Sequence, residues 1–216
     1  MLRLVKFFLV LVVVAAVAAF AGYRYWESRL EAPIAIAEES LYEVPRGAGY
    51  HRVISDLTAR GVIKDEWAFR LLTRIEPESI PQLRVGEYML EPGMSGRELI
   101  ALLGSDRVVT YPLTIPEGWT FRQMRARLDA APKLESVTQG LDDTEVMALL
   151  EREGQHPEGW FFPDTYRYHK GMTDLDILGQ ALVRMERVLE EVWEGRSDDL
   201  TIESPYEALI MASLIE

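Results

Sequence analysis

Residues 41–94, LYEVPRGAGYHRVISDLTARGVIKDEWAFRLLTRIEPESIPQLRVGEYMLEPGM, decide how the body of this chain is read. Residues 41–44 (LYEV) form a short extended run, and residues 45–49 (PRGAG) a turn. Val53, Ile54 and Leu57 then recur at helical spacing, and that helix stops near Gly61. Asp65 has the position and chemistry of an N-cap for a second helix through Trp67, Phe69, Leu71, Leu72 and Ile75. Gly86–Leu90 (GEYML) is a second strand, closed by the turn Glu91-Pro92-Gly93. The expected unit is therefore strand–helix–helix–strand, a βααβ subdomain over residues 41–94.

Upstream of it the chain is of another kind. Between Lys6 and Arg24 lie 17 residues without a charge, FFLVLVVVAAVAAFAGY. As a helix they would span about 26 Å, slightly short of a hydrocarbon core of roughly 30 Å. Tyr23, Tyr25 and Trp26 follow, as expected of an aromatic belt at the membrane–water boundary. Arg3 and Lys6 precede the run and favour a cytoplasmic N-terminus. The reading is a cytoplasmic segment 1–6, a transmembrane anchor 7–26 and a spacer 27–40. Ala19-Phe20-Ala21 also fits the small-x-small pattern of a cleaved signal peptide. The aromatic and basic flank favours a retained anchor, and on either reading the body is exported.

Downstream, Ser95 opens a helix over 95–103, and residues 107–115 (RVVTYPLTI) read as a strand ending in Pro116-Glu117-Gly118. Helices are expected over 120–131, behind a Thr N-cap, and over 143–153. Residues 159–168 (GWFFPDTYRY) are dense in aromatics, with Pro163 preventing a continuous helix. A long helix over 174–193 carries Leu175, Leu178, Leu182, Met185, Leu189 and Val192 at three- and four-residue steps. The fold class is α+β: an N-terminal transmembrane helix, the βααβ subdomain, then a mixed α/β domain over 95–216.

Charge excludes several function classes. The formal net charge is −12. Residues 1–30 carry +3 (Arg3, Lys6, Arg24 and Arg29 against Glu27), leaving −15 for the rest. So acidic a body repels nucleic acid, whose binding depends on Lys and Arg releasing counterions. It also argues against attachment to an anionic membrane surface through a basic patch. With no cysteine, disulfides, thiolate nucleophiles and Cys-ligated metals are excluded. His51, His156 and His169 have no metal-ligand spacing, so no metal is expected. Lys64, Lys133 and Lys170 are the lysines of the body, none in a phosphate-cradling context, so neither a Schiff-base cofactor nor any other is expected.

The chain closes on Ser204-Pro205-Tyr206-Glu207, a capping-box pattern with proline at the first helical position. Residues 208–215 (ALIMASLI) are small or apolar on every side, which predicts a buried helix. Glu216 follows, with Ala212 and Leu209 four and seven residues back on the same face. Desolvation there would favour the protonated carboxyl, as a general acid requires. The other reading is a solvated glutamate where the helix emerges.

Three segments resemble the signatures of the MltG (YceG-like) family of endolytic murein transglycosylases. They are residues 114–118 (TIPEG) with Thr120, residues 158–166 (EGWFFPDTY) and residues 209–216 (LIMASLIE). The single anchor matches that family's layout, and the βααβ unit resembles a LysM module, which binds the N-acetyl-sugar backbone of peptidoglycan. A βααβ packing unit without a ligand is the other reading of 41–94. The resemblance implies cleavage of the bond between N-acetylmuramic acid and N-acetylglucosamine without water, leaving 1,6-anhydro ends and limiting nascent strand length.

It further implies Glu216 as the catalytic acid/base. Trp160 and Tyr166 are candidates to stack on sugar faces, and Glu158 and Asp164 to hydrogen-bond hydroxyls. For Phe161 and Phe162 a core role is expected, and for Glu117 a structural one, capping the helix after Gly118. The implied setting is the bacterial inner membrane, single-pass, with the body outside the cytoplasm, glycan strands as substrate and peptidoglycan synthases as neighbours. Family members continue past this glutamate, so residues 95–216 are expected to be an incomplete catalytic domain, inactive alone. The rival is a non-catalytic, membrane-tethered LysM-like binding or scaffold protein.

Overall fold

The computed structural model describes residues 2–197 and 201–215 as a mixed α+β chain. It divides into two compact units, Met1–Val109 and Thr110–Glu216. The first contains α1 (Leu2–Leu30), β1 (Ser40–Val44), α2 (Tyr50–Ala59), α3 (Glu66–Ile75), β2 (Gly86–Leu90) and α4 (Gly96–Leu103). β1 and β2 pair antiparallel, with Tyr42 opposite Tyr88 and Val44 opposite Gly86. Alternate residues of β1 and the apolar faces of α2 and α3 close one core, including Tyr42, Val44, Val53, Ile54, Leu57, Phe69, Leu72 and Tyr88. Leu99, Ile100, Leu102 and Leu103 of α4 belong to that core too. The first unit therefore runs past residue 94 to Val109.

α1 is long and apolar enough to cross a membrane from Leu4 to Leu30. Its last two turns depart from the sequence reading. Trp26, assigned to an interfacial belt, is only 2 % exposed, and its indole Nε1–H donates to the carbonyl of Ala68 at 2.8 Å. Leu30, one turn on, is also buried in the body's core. Trp26 and Leu30 share one helix face by their four-residue spacing, and α3 and α4 pack against that end of α1. Residues 31–35 are pinned as well: Pro33 bridges Ser95, Ile34 N–H donates to Met94 O at 2.8 Å, and Ala35 N–H to Val62 O at 2.9 Å. The stretch read as a spacer thus begins inside a helix and continues as part of the body.

Caps explain the helix starts. Ser95 accepts from Glu98 N–H while the Glu98 carboxylate accepts from Ser95 N–H, so α4 begins where its sequence says. Asp65 stands at the N-cap of α3, but its side chain makes no cap hydrogen bond; its carboxylate faces Arg29 at 3.5 Å. Gly96 has no room for a side chain. A Cβ there would lie 2.4 Å from Phe69 Cζ and 2.8 Å from Leu30 O.

The second unit contains β3 (Thr110–Ile115), α5 (Phe121–Asp129), α6 (Asp143–Leu149), β4 (Asp164–His169), α7 (Asp174–Glu194) and α8 (Pro205–Ile215). β3 and β4 pair antiparallel, with Leu113 opposite Tyr166 and Ile115 opposite Asp164. β4 is a strand that the aromatic density of 159–168 concealed. Its alternation is regular, with Tyr166 and Tyr168 buried and Thr165 and Arg167 exposed. α5, α6 and α7 open on capping boxes at Thr120, Asp142 and Thr173. α6 stops at Leu149, earlier than its sequence suggests, because Glu151 takes φ 60°.

Asp174, buried at the first position of α7, holds the preceding loop. Its carboxylate accepts from Val137 N–H at 2.9 Å, Thr138 N–H at 3.0 Å, the Thr138 hydroxyl at 2.6 Å and the Ser136 hydroxyl at 3.3 Å. These bonds and the positive end of the helix dipole stabilise a buried carboxylate.

Candidate active-site groove

The three motif segments lie far apart in sequence and come together in the second unit. They line one groove of about 790 Å³. Its first wall is the turn after β3, from Pro116 to Thr120. The second is Glu158 to Pro163, less Trp160, and the third is the α8 face with Tyr206, Leu209, Ile210, Ala212 and Ser213.

Each wall has a local cause. Gly118 turns the chain at φ 71°, which L side chains rarely adopt, and Thr120 then caps α5, accepting from Gln123 N–H at 3.3 Å. Gly159 sits at φ 86° with Leu209 Cδ2 only 3.5 Å from where a Cβ would lie. This glycine therefore serves the backbone turn, and a Cβ there would meet Leu209 of α8 at ordinary van der Waals distance. Trp160 stacks on Tyr206, ring centroids 5.5 Å apart and planes 7° from parallel. Behind the groove Phe121 stacks on Phe161 at 4.9 Å, the core role expected for Phe161.

The predicted site residues divide. Glu158 lines the groove, and its Oε2 accepts from Phe121 N–H at 3.0 Å. That places a carboxylate on an orphan N–H of the first turn of α5. The helix-capping role expected of Glu117 thus falls to Glu158, while Glu117 lines the groove in its turn. Trp160 acts on the groove through Tyr206, which carries an aromatic ring into the lining.

Asp164 and Tyr166 do not join this lining. Asp164 pairs with Arg184 and accepts from Thr165 N–H at 2.6 Å. Tyr166 is buried; its hydroxyl donates to Phe162 O at 2.6 Å, and burial pushes its pKa up to about 12. Glu216 lies outside the described residues. Tyr206 and Ser213 are polar lining residues that the sequence did not single out; the signal for both was their place on the last motif helix. Among the described residues no three His, Asp or Glu side chains gather as a metal site.

α8 departs from the buried helix its composition predicts. Ser204 Oγ accepts from Glu207 N–H at 3.2 Å, as the capping pattern requires, although the Glu207 carboxylate reaches back to Glu203 N–H at 2.9 Å. Leu209 is half-buried, whereas Ile210 is 43 % and Met211 46 % exposed. Among the described residues α7 and the turn at Gly159–Trp160 pack against it on one side, and composition supplies no covering surface of its own.

The motifs that meet here have relatives. The model of the YceG-like family matches residues 42–216. An endolytic murein transglycosylase from Bacillus subtilis (strain 168) is 25 % identical over 190 residues, covering 80 % of this chain and 52 % of that protein. A crystal structure of a yceG-like protein from Listeria monocytogenes is 22 % identical, covering 74 % of this chain and 58 % of the other, with a TM-score of 0.33. The chain thus spans about half the length of the curated relative it matches. A family match that runs from within β1 through α8, with all three groove-lining segments inside it, makes this chain a member of the YceG-like family.

Proposed function

We propose that this chain is the membrane-anchored part of a lytic transglycosylase that cuts peptidoglycan glycan strands, with Glu216 as its acid/base. The observation that carries the reading is the convergence of residues 116–120, 158–163 and 206–213 on one groove. Leu209 and Ala212, the positions seven and four residues before Glu216, are both in its lining. The name of the Bacillus subtilis relative supports the substrate class.

Most glycosidases use two carboxylates, one as acid and one as nucleophile or base. In the proposed reaction one carboxyl does both jobs. The Glu216 carboxyl protonates the glycosidic oxygen between N-acetylmuramic acid and N-acetylglucosamine, and the bond from muramyl C1 to that oxygen breaks. The muramyl C6 hydroxyl oxygen attacks C1, and the Glu216 carboxylate takes its proton. A 1,6-anhydro ring closes and no water is consumed. Glu158, held by Phe121 N–H, shapes the wall. Tyr206 presents a ring face on which a sugar can stack. The order β1–α2–α3–β2, with its two strands antiparallel, supports a LysM-like glycan-binding role for the first unit. α1 serves as a single-pass anchor with the body outside the cytoplasm. Peptidoglycan synthases are the proposed neighbours.

The test is digestion of purified glycan strands by the natural full-length polypeptide, with and without Glu216→Gln, read by mass spectrometry. Products lighter by one water than hydrolysis yields, lost in the variant, are expected. Reducing-end sugars would replace the mechanism by hydrolysis. Strands bound but left uncut by both forms would leave a tethered binding protein.

A further inference from the structure

We propose that the first unit is seated directly on the bilayer, with Tyr23, Tyr25, Trp67, Leu71, Arg74 and Ile75 forming the face that enters the lipid headgroup–acyl boundary. This rests on the reading of α1 as a membrane anchor.

Three side-chain contacts orient α3 against α1. Arg29 meets Asp65 at 3.5 Å, the Trp26 indole donates to Ala68 O at 2.8 Å, and the Tyr23 hydroxyl donates to Glu76 at 3.3 Å. As the α1 partner moves from residue 29 to 23, the α3 side moves from 65 to 76. α3 therefore runs back alongside α1, toward its apolar stretch. Positions 67, 71, 74 and 75 fall on one side of α3, with Leu71 half-buried at the rim of the core, while Ala68, Phe69 and Leu72 face the core. Trp67 and Ile75 are each 45 % exposed, and Tyr25 stacks on Trp67 with centroids 6.2 Å apart.

Length places this face at the boundary. The uncharged run of 17 residues spans about 26 Å against a core of roughly 30 Å. The shortfall draws the end of the run and the turn after it, with Tyr23 and Tyr25, into the interface, where such rings are at home. Trp67 is stacked on Tyr25, and Ile75, about 12 Å further along α3 and next to the residue bonded to Tyr23, lies on the side of the apolar stretch, so the face spans the boundary from its outer edge inward. Since Trp26 and Leu30 lock α1 into the body's core, the unit has no free tether on which to swing away.

Charge settles what kind of lipid contact this is. Arg24 pairs with Glu27 and Arg70 with Glu66, each through one carboxylate, and Glu76 with Arg97. Arg74 adds one exposed cation to the face, which is otherwise held by aromatic and aliphatic burial, so it takes a zwitterionic surface and gains only modestly from an anionic one.

The absence of cysteine makes the test direct. Single-cysteine variants of the whole chain, V12C, K64C and I75C, are labelled with an environment-sensitive dye and reconstituted in phosphatidylcholine vesicles, with and without phosphatidylglycerol. Lys64 lies just before α3, at the end away from the apolar stretch, which separates it from Ile75 by about 16 Å of helix. Expected are deep quenching at 12 by lipid-borne quenchers, shallow quenching at 75 in both lipids, and aqueous iodide quenching at 75 that is about half or less of that at 64. A label at 12 in the core with a label at 75 as open to iodide as one at 64 overturns the seating and leaves the anchor standing. A label at 12 open to water overturns both. Shallow quenching at 75 only with phosphatidylglycerol overturns the aromatic basis in favour of electrostatic attraction.

Discussion

The Glu158 carboxylate accepts a hydrogen bond from the backbone N–H of Phe121 at 3.0 Å, so an acid of one family motif caps the helix that follows another. Replacing Glu158 by Ala leaves that N–H without its acceptor and removes a favourable charge from the helix start. A loss of about 1 kcal/mol is expected in chemical unfolding followed by circular dichroism. Glu158→Gln, which still offers an acceptor oxygen, is expected to lose less. Equal loss in both variants would show that charge, not the bond, matters.

Asp174 is a stronger case, because its carboxylate serves the loop at 136–138 through four separate donors. Asp174→Ala strands two backbone N–H groups and the Thr138 hydroxyl, at about 1–3 kcal/mol for each donor left buried, while the Ser136 hydroxyl keeps the Asp129 carboxylate. Hydrogen exchange at Val137 and Thr138 is the sensitive readout. Both amides are expected to lose protection well before α7 does.

Glu76 makes a prediction about acid. The hydrogen bond from Arg97 holds its carboxyl below the ordinary value of 4.5, against an opposing desolvation. Glu98 is likewise lowered by its bond from Ser95 N–H. A carboxyl harder to protonate when folded adds stability above its unfolded value, and that stability is lost as pH falls through the lowered one. Stability of the first unit is thus expected to decline below about pH 4.5. Glu76→Gln should give a shallower decline, measured as unfolding midpoint against pH in detergent.

Leu30 tests whether the anchor ends in a spacer or in the fold. Leu30→Ala removes a fully buried side chain, at about 2–5 kcal/mol. Limited proteolysis of the wild-type protein is expected to spare residues 27–40, and the variant to be cut there. Rapid cutting of the wild type would restore the flexible spacer.

Gly159→Ala puts a side chain on a left-handed backbone in the turn against which Leu209 of α8 packs. A cost of about 1 kcal/mol or more is expected. The specific readout is faster hydrogen exchange in α8, and in the natural full-length polypeptide a loss of glycan cleavage with its soluble unit still folded.

Helix starts were readable in the chain because a cap closes its hydrogen bonds within about four residues, as Ser95 does with Glu98, Thr120 with Gln123 and Ser204 with Glu207. The same holds for the strand Gly86–Leu90 and for the charge-free run within α1, where pattern and composition are contiguous. Other features depended on residues distant in sequence. Trp26 reads as interfacial by its neighbours in the chain, yet α3 covers it and supplies the Ala68 carbonyl. β4 needed β3, some fifty residues earlier, to pair its backbone, and Tyr166 became core rather than lining for that reason. Motif membership named the segments that meet in the groove. Which side chains face it, and which are spent on Phe121, Arg184 or Phe162, was decided by packing, since burial belongs to the surfaces that meet and not to any one stretch of chain.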